Sequence, residues 1–282
     1  MINTITFDSG VPGTHLLVLG AIHGNEVVGP NAIFKVIDEI QTYKIHLKTG
    51  RITFAPICNL KAYDQDVRQI DENLNRIIKY HQHPVTYEQK LANDIVPLIE
   101  QCDAVLDLHS THCSKDVPFV FCDYPTPENM KMIEALDVNY VLLGWPQIYA
   151  GNSDISDYST ERCAFNCHKA GITLECGYHK EADSVTVAYN AIVNLLNMFG
   201  IIEGSGFVKN EKTPIRLTEY VVKKKNGCLC QNYKHLDVIT KGQPIAEYDD
   251  GEILTAPQEG YILLPNADAD IGSEWYYLGV KE

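Results

Sequence analysis

Residues 17 to 26 read Leu17-Val18-Leu19-Gly20-Ala21-Ile22-His23-Gly24-Asn25-Glu26. The apolar run that opens at Leu16 reads as a buried strand. It ends in a short turn bearing His23 and Glu26. A helical pattern follows over residues 28 to 41, with Pro30 near its first turn and Ile33, Val36, Ile37 and Ile40 on one face. An imidazole and a carboxylate three residues apart, just past a strand end, can converge on one metal ion. The same residues also read as a polar turn capping the next helix. The two readings are separated only by what lies downstream.

Outward from this stretch, strands and helices alternate. Strands are expected at Ile2 to Phe7, Leu16 to Ile22, Arg51 to Pro56, Ala104 to Leu108 (ending in His109), Pro118 to Cys122 and Gly171 to Leu174 (ending in Glu175). Helices are expected at Val28 to Gln41, Tyr87 to Cys102, Thr126 to Leu136 and Asp183 to Phe199. Thr126 is placed to cap its helix and Pro127 to start it. Asn59 to Tyr80 reads as a polar loop too long to be a mere connection, which marks it for function. The class is α/β. At Gly204-Ser205-Gly206 the pattern breaks in what reads as a linker. Beyond it, short β-rich runs are punctuated by Asn226-Gly227, Asp250-Gly251 and Glu259-Gly260, pairs that suit tight turns. The expected organisation is a catalytic domain over residues 1–203 and a small all-β domain over 207–282.

Bulk properties narrow the function. A chain of 282 residues, 45% hydrophobic, can bury a full core. Its net charge of −14 argues against nucleic acid or an anionic membrane as partner, since both need a basic face. No apolar run approaches the about 18 residues of a membrane span, and the N-terminus does not read as a signal peptide. The nine cysteines are odd in number and scattered, and read as free thiols in a reducing cytoplasm. Cys228-x-Cys230 and Cys163-x3-Cys167-His168 lack the second pair a structural metal site would need. The sequence sets no oligomeric state and leaves a homo-oligomer open.

Polar groups at three strand ends carry the chemistry: His23 with Glu26, then His109, then Glu175. Open α/β sheets bind ligands outside such ends. Two imidazoles and one carboxylate make a catalytic rather than a structural zinc set, because three protein ligands leave a fourth position open. His112 is the rival ligand, and the strand-end position favours His109. Glu175 is the candidate that takes a proton from water and passes it to the leaving group.

His23-Gly-Asn-Glu26, Asn73-Leu-Asn75-Arg76, Asp107-Leu-His109 and Glu175-Cys-Gly177 fall in an order and spacing that resembles the aspartoacylase and succinylglutamate desuccinylase family, whose members share the catalytic core of zinc carboxypeptidases. Ala256 to Pro265 and Glu274 to Leu278 also resemble that family's β domain. The resemblance implies a mixed sheet flanked by helices, with the small β domain packing near the active site. It implies one Zn2+ per chain held by His23, Glu26 and His109, and Glu175 as general base and then acid. Arg68, seven residues before Asn75, would polarise the substrate carbonyl, and Asn75 and Arg76 would hold a substrate carboxylate. Arg162 is the candidate for a second carboxylate, although its spacing to Glu175 is longer than the family pattern. Asn73 stands where the family tends to have Asp, and Tyr178 and His179 are placed to shape the pocket.

The expected activity is hydrolysis of the amide bond of a small N-acyl amino acid such as N-acetylaspartate or N-succinylglutamate. A carboxypeptidase-type peptidase with the same site and a longer cleft is the first alternative. A non-catalytic metal-dependent binding protein is the second, disfavoured by the presence of Glu175.

Overall fold

The computed structural model describes residues 1–114, 116–150, 158–204 and 210–282. In chain order its elements are β1 (Ile5–Asp8), β2 (His15–Gly20), α1 (Val28–Gln41), β3 (Arg51–Ala55), α2 (Leu60–Asp64), a 3-10 turn (Leu74–Arg76), α3 (Tyr87–Gln101), β4 (Ala104–Thr111), β5 (Phe119–Phe121), α4 (Pro127–Ala135), β6 (Tyr140–Leu143), α5 (Trp145–Tyr149), α6 (Thr160–Asn166), β7 (Ala170–Tyr178) and α7 (Ala182–Met198). Then come seven strands: β8 (Thr213–Val222), β9 (Gly227–Leu229), β10 (Asp237–Ile239), β11 (Pro244–Tyr248), β12 (Ile253–Thr255), β13 (Gly260–Leu263) and β14 (Glu274–Lys281).

Two compact units emerge. The first comprises Met1–Tyr140 with the described part of Ser153–Lys212. Its strands run in the order β1-β3-β2-β4-β7-β5. The central pairs β3/β2, β2/β4 and β4/β7 are parallel, and the outer pairs β1/β3 and β5/β7 are antiparallel. Leu16, Leu17, Val18 and Leu19 are all 0% exposed, which explains why this strand is a continuous apolar run rather than an alternating one. Leu17 and Leu19 join Ile95 and Ile99 of α3 and Ala164 of α6 in one core cluster. Helices α1 and α7 pack on each other and on β2, β4 and β7, and α4 packs on α7 and β7.

The second unit takes the described part of Val141–Asn152 together with Thr213–Glu282. It contains strands in the order β6-β8-β14-β13-β10 and a separate three-stranded antiparallel sheet, β12-β11-β9. Its core gathers Ile239, Ile245, Tyr248, Ile262, Trp275 and Leu278. Of the three turn pairs read from the sequence, Asp250-Gly251 joins two paired strands, β11 and β12, with Gly251 at φ +86°. Asn226-Gly227 and Glu259-Gly260 instead lead into β9 and β13. Ser205 and Gly206 of the linker lie outside the described residues.

Several boundaries differ from the sequence expectation for one reason. β4 continues through His109 to Thr111, and β7 continues through Glu175 to Tyr178. Polar residues do not end these strands, because the β4/β7 ladder carries on past them, pairing His109 with Glu175 and Thr111 with Tyr178. The long loop after Asn59 contains α2 and the 3-10 turn. Asn59 caps α2 by accepting from the Ala62 N–H at 3.3 Å, and Asn73 caps the turn. The segments β6, α5 and α6 carried no periodic signal.

Candidate metal centre

At the end of β2 the chain turns through Ala21 (φ +45°) into the His23–Glu26 turn, where the Glu26 N–H donates to the His23 carbonyl at 3.2 Å. The helix after it, α1, has Val27 at its cap and no side-chain cap bond. His23 and Glu26 therefore do not cap α1, and their side chains are spent elsewhere. Gly24 is required by close approach: a Cβ there would lie 2.1 Å from the Ala62 carbonyl carbon and 2.3 Å from the Tyr63 nitrogen, inside the backbone of α2.

His23, Glu26 and His109 are buried and offer ligand atoms that all lie within 4.8 Å of one another. His23 Nδ1 is 2.8 Å from Glu26 Oε1, and His109 Nδ1 is 2.9 Å from Glu26 Oε2. The far side of each ring is held. His23 Nε2 lies 3.0 Å from Asn73 Oδ1, which also accepts the Asn75 N–H. His109 Nε2 lies 2.9 Å from Asp107 Oδ2. Asp107 and His109 are two apart on β4 and so share a face of the strand.

Both Nε2 partners are acceptors, which assigns a ring proton to each Nε2; the neutral ring then turns its Nδ1 lone pair toward Glu26, and the imidazolium donates from Nδ1 to Glu26 instead. With both rings neutral, two lone pairs and a carboxylate face a common point, an arrangement that a divalent cation satisfies. Outer partners that fix the tautomer in this way are the usual support of histidine metal ligands. The donor set, two nitrogens and one carboxylate, fits zinc. His112 is exposed and outside the cluster.

The electrostatics reflect this crowding. Burial lowers His23 to about 4, helped by the Arg68 guanidinium. Burial works against the charged form of Glu26, but the two imidazoles outweigh it and hold its carboxyl well below the usual range. Glu175 is the ladder partner of His109 across β4 and β7. Burial, then repulsion from Glu26, pushes it up to about 8, and its buried Oε2 has no hydrogen-bond partner among the described residues. Just beyond it, Gly177 adopts φ +100° in a register shift of β7 that sets Tyr178 opposite Thr111.

The other sequence candidates fall as follows. Arg68, half-exposed, donates from Nη1 to Glu26 Oε1 at 2.9 Å. Asn75 is buried, and its Oδ1 accepts the Thr160 N–H at 3.1 Å, so among the described residues its amide nitrogen is the end left for a ligand. Arg76 donates to the Asn75 carbonyl at 3.1 Å. Arg162, on α6, places its guanidinium 4.5 Å from the centre of the Tyr158 ring. Three supporting residues carried no assigned role in the sequence reading. Asp107 and Asn73 orient the histidines, and Thr160 donates from Oγ1 to Asp107 Oδ2 at 2.7 Å. Asp107 had a usable signal, being two residues from a histidine on a strand. Thr160 had none.

Fold and site together define an α/β protein with a buried two-histidine, one-carboxylate candidate metal centre at the carboxyl ends of parallel strands. The chain belongs to the succinylglutamate desuccinylase/aspartoacylase family, whose catalytic-domain model matches residues 12–204. It is 34% identical over 107 residues to a probable aspartoacylase of Prochlorococcus marinus subsp. pastoris (strain CCMP1986 / NIES-2087 / MED4). That match spans 34% of this chain and 33% of the relative, about a third of each.

Among solved structures, the chain superposes on the product-bound ectoine utilization protein EutE (DoeB) of Ruegeria pomeroyi with a TM-score of 0.80 at 20% identity, covering 99% of this chain and 89% of that one. It superposes on a succinylglutamate desuccinylase/aspartoacylase of Rhodobacter sphaeroides with a TM-score of 0.79 at 17% identity, covering 100% and 90%. At such identities the likeness is one of fold. The family is one of deacylases. No helix among the described residues is long and apolar enough to cross a membrane.

Proposed function

We propose that this protein is a zinc-dependent amidohydrolase that releases a carboxylate and a free amino acid from an N-acyl amino acid, of the N-acetylaspartate or N-succinylglutamate kind. The observation that carries the reading is the convergence of His23 Nδ1, His109 Nδ1 and the Glu26 carboxylate beside the Oε2 of Glu175, unpartnered among the described residues. Residues 1–203 are read as the catalytic domain and 207–282 as the β domain. The partner is a small molecule, and neither nucleic acid nor membrane is proposed. The nine thiols suit a reducing cytoplasm.

His23, Glu26 and His109 would hold one Zn2+, which when bound supplies Lewis-acid activation of water and of the scissile carbonyl. Glu175 takes the proton of the attacking water at its carboxylate and returns it to the leaving nitrogen. Arg68 donates to the carbonyl oxygen as negative charge develops there, a contact worth about 3 kcal/mol in comparable sites. Arg76 and the Asn75 amide nitrogen hold the substrate carboxylate. Arg162 is the candidate for a second carboxylate.

The test is amine release from acetylaspartate, succinylglutamate, neutral acyl amino acids and a short peptide by the zinc-loaded protein. Turnover that needs metal and falls at least about 100-fold in Glu175→Gln is the expected result. Release from the peptide alone would move the assignment to a peptidase. No release from any member, with metal bound, would overturn it.

A further inference from the structure

We propose that Glu88 is a positioning residue that sets the loop carrying Arg68, Asn73, Asn75 and Arg76. Its carboxylate lies at the start of α3 and is 0% exposed. Oε1 accepts the Ile70 N–H at 2.8 Å and the Asn59 amide at 3.2 Å. Oε2 accepts the Asp71 N–H at 3.1 Å and the Glu72 N–H at 3.4 Å. Three consecutive backbone amides thus close on one buried anion, in the manner of a nest that usually receives a ligand.

The clamp is reciprocal. Asp71 accepts the Tyr87 N–H at 2.8 Å, and Glu72 accepts from the Gln89 amide at 2.9 Å and from the Thr86 hydroxyl. The α3 start and loop 70–72 therefore hold each other by side chain to backbone in both directions. Arg68 leaves this clamp two residues upstream, and Asn73, Asn75 and Arg76 leave it one to four residues downstream. An error in the clamp shifts the groups proposed to bind the carbonyl and the carboxylate together.

The chemistry of the substitution is specific. Glutamine is nearly isosteric, but it replaces one acceptor oxygen by an NH2 that would face two donors. Glu88→Gln should therefore free the loop while leaving the helix in place. This inference rests on the hydrolase reading for its kinetic consequence, and its test has an arm that does not.

The experiment is amide hydrogen exchange by mass spectrometry on the full-length zinc-loaded protein, beside steady-state kinetics on the acyl amino acids above. In Glu88→Gln the peptides covering 68–76 should exchange at least tenfold faster, with those from β2, β4 and the body of α3 unchanged. At equal metal content KM should rise at least fivefold, with the larger part of the lost kcat/KM in KM. If the wild-type protein turns over none of the panel, the hydrolase reading fails, and the exchange arm still decides the clamp.

Unchanged exchange over 68–76 overturns the proposal. So does faster exchange with KM unchanged, because the loop would then be held for stability alone. If Glu88→Gln does not fold, Glu88→Asp carries the same readouts. It keeps the charge, withdraws it by one methylene and adds no donor, so a loosened loop and raised KM support the clamp, and wild-type values overturn it.

Discussion

Thr160 joins two parts of the site that lie far apart in sequence. Its hydroxyl donates to the Asp107 oxygen that also holds His109, and its backbone N–H donates to Asn75. Thr160→Val keeps the volume and removes only the hydroxyl. Asp107 is 0% exposed, so losing a donor leaves a buried carboxylate less satisfied, at about 1–3 kcal/mol of stability. Support one step behind a metal ligand is commonly worth 10-fold or more in affinity. The expected outcome is zinc affinity weakened about 10-fold in chelator competition, with KM changed less than about twofold because the N–H to Asn75 remains. Unchanged zinc affinity would separate Thr160 from the metal centre. At this scale the sequence carried the side chains that the structure gathers, since His23, Glu26 and His109 are distinctive letters just past apolar runs. It did not carry Thr160 or Glu88, because one acts partly and the other almost wholly through backbone N–H groups, which have no letter in a sequence.

Elements were legible in proportion to their length and periodicity. α1 spans the residues its apolar spacing marks, and Thr126 caps α4 by accepting the Asn129 N–H at 3.1 Å. β6, α5 and α6 have 4, 5 and 7 residues, too few for a period to show. In the β-rich segment, His235 gives an element-scale prediction. It precedes β10, is buried, and accepts the Leu264 N–H at Nδ1 at 3.0 Å. Burial lowers its pKa to about 3. The unfolded chain takes up this proton near pH 6.5, whereas the folded chain does not until near pH 3. The stability contribution is therefore fully present above about pH 6.5 and falls as the pH drops toward the folded value, by about 3 kcal/mol at pH 4. Asn can present its Oδ1 to the same N–H and does not titrate. Both tryptophans, Trp145 and Trp275, lie in the second unit, so urea unfolding followed by their fluorescence reports on it. Between pH 7 and pH 4, His235→Asn should lose about 3 kcal/mol less than the wild type. Equal losses in the two proteins would assign the acid sensitivity to other groups.

At the scale of the molecule, the second unit is not continuous in sequence. A composition break near residue 206 suggests a clean boundary, yet Val141–Asn152 groups, over its described residues, with Thr213–Glu282. The reason is aromatic packing. The Trp145 ring lies 4.6 Å from that of Tyr277, Tyr149 meets Tyr220 at 5.6 Å, and the Tyr149 and Tyr277 hydroxyls are 2.9 Å apart. A chain ended after Lys212 keeps Val141, Leu142, Trp145 and Tyr149 but removes the strands that cover them, and each is now at most 9% exposed. Exposing two large aromatic and two aliphatic side chains forfeits on the order of 10 kcal/mol of burial, comparable with the whole stability of a domain. The 1–212 fragment should therefore bind a hydrophobic dye and elute as aggregate in size-exclusion chromatography. Trp145→Ser with Tyr149→Ser in the same fragment should restore much of the monomer peak, since it removes most of the exposed apolar surface. A monomeric, dye-silent 1–212 fragment with its native side chains would mean that 141–149 can be buried without β8 and β14, and the boundary near residue 206 would then be the physical one.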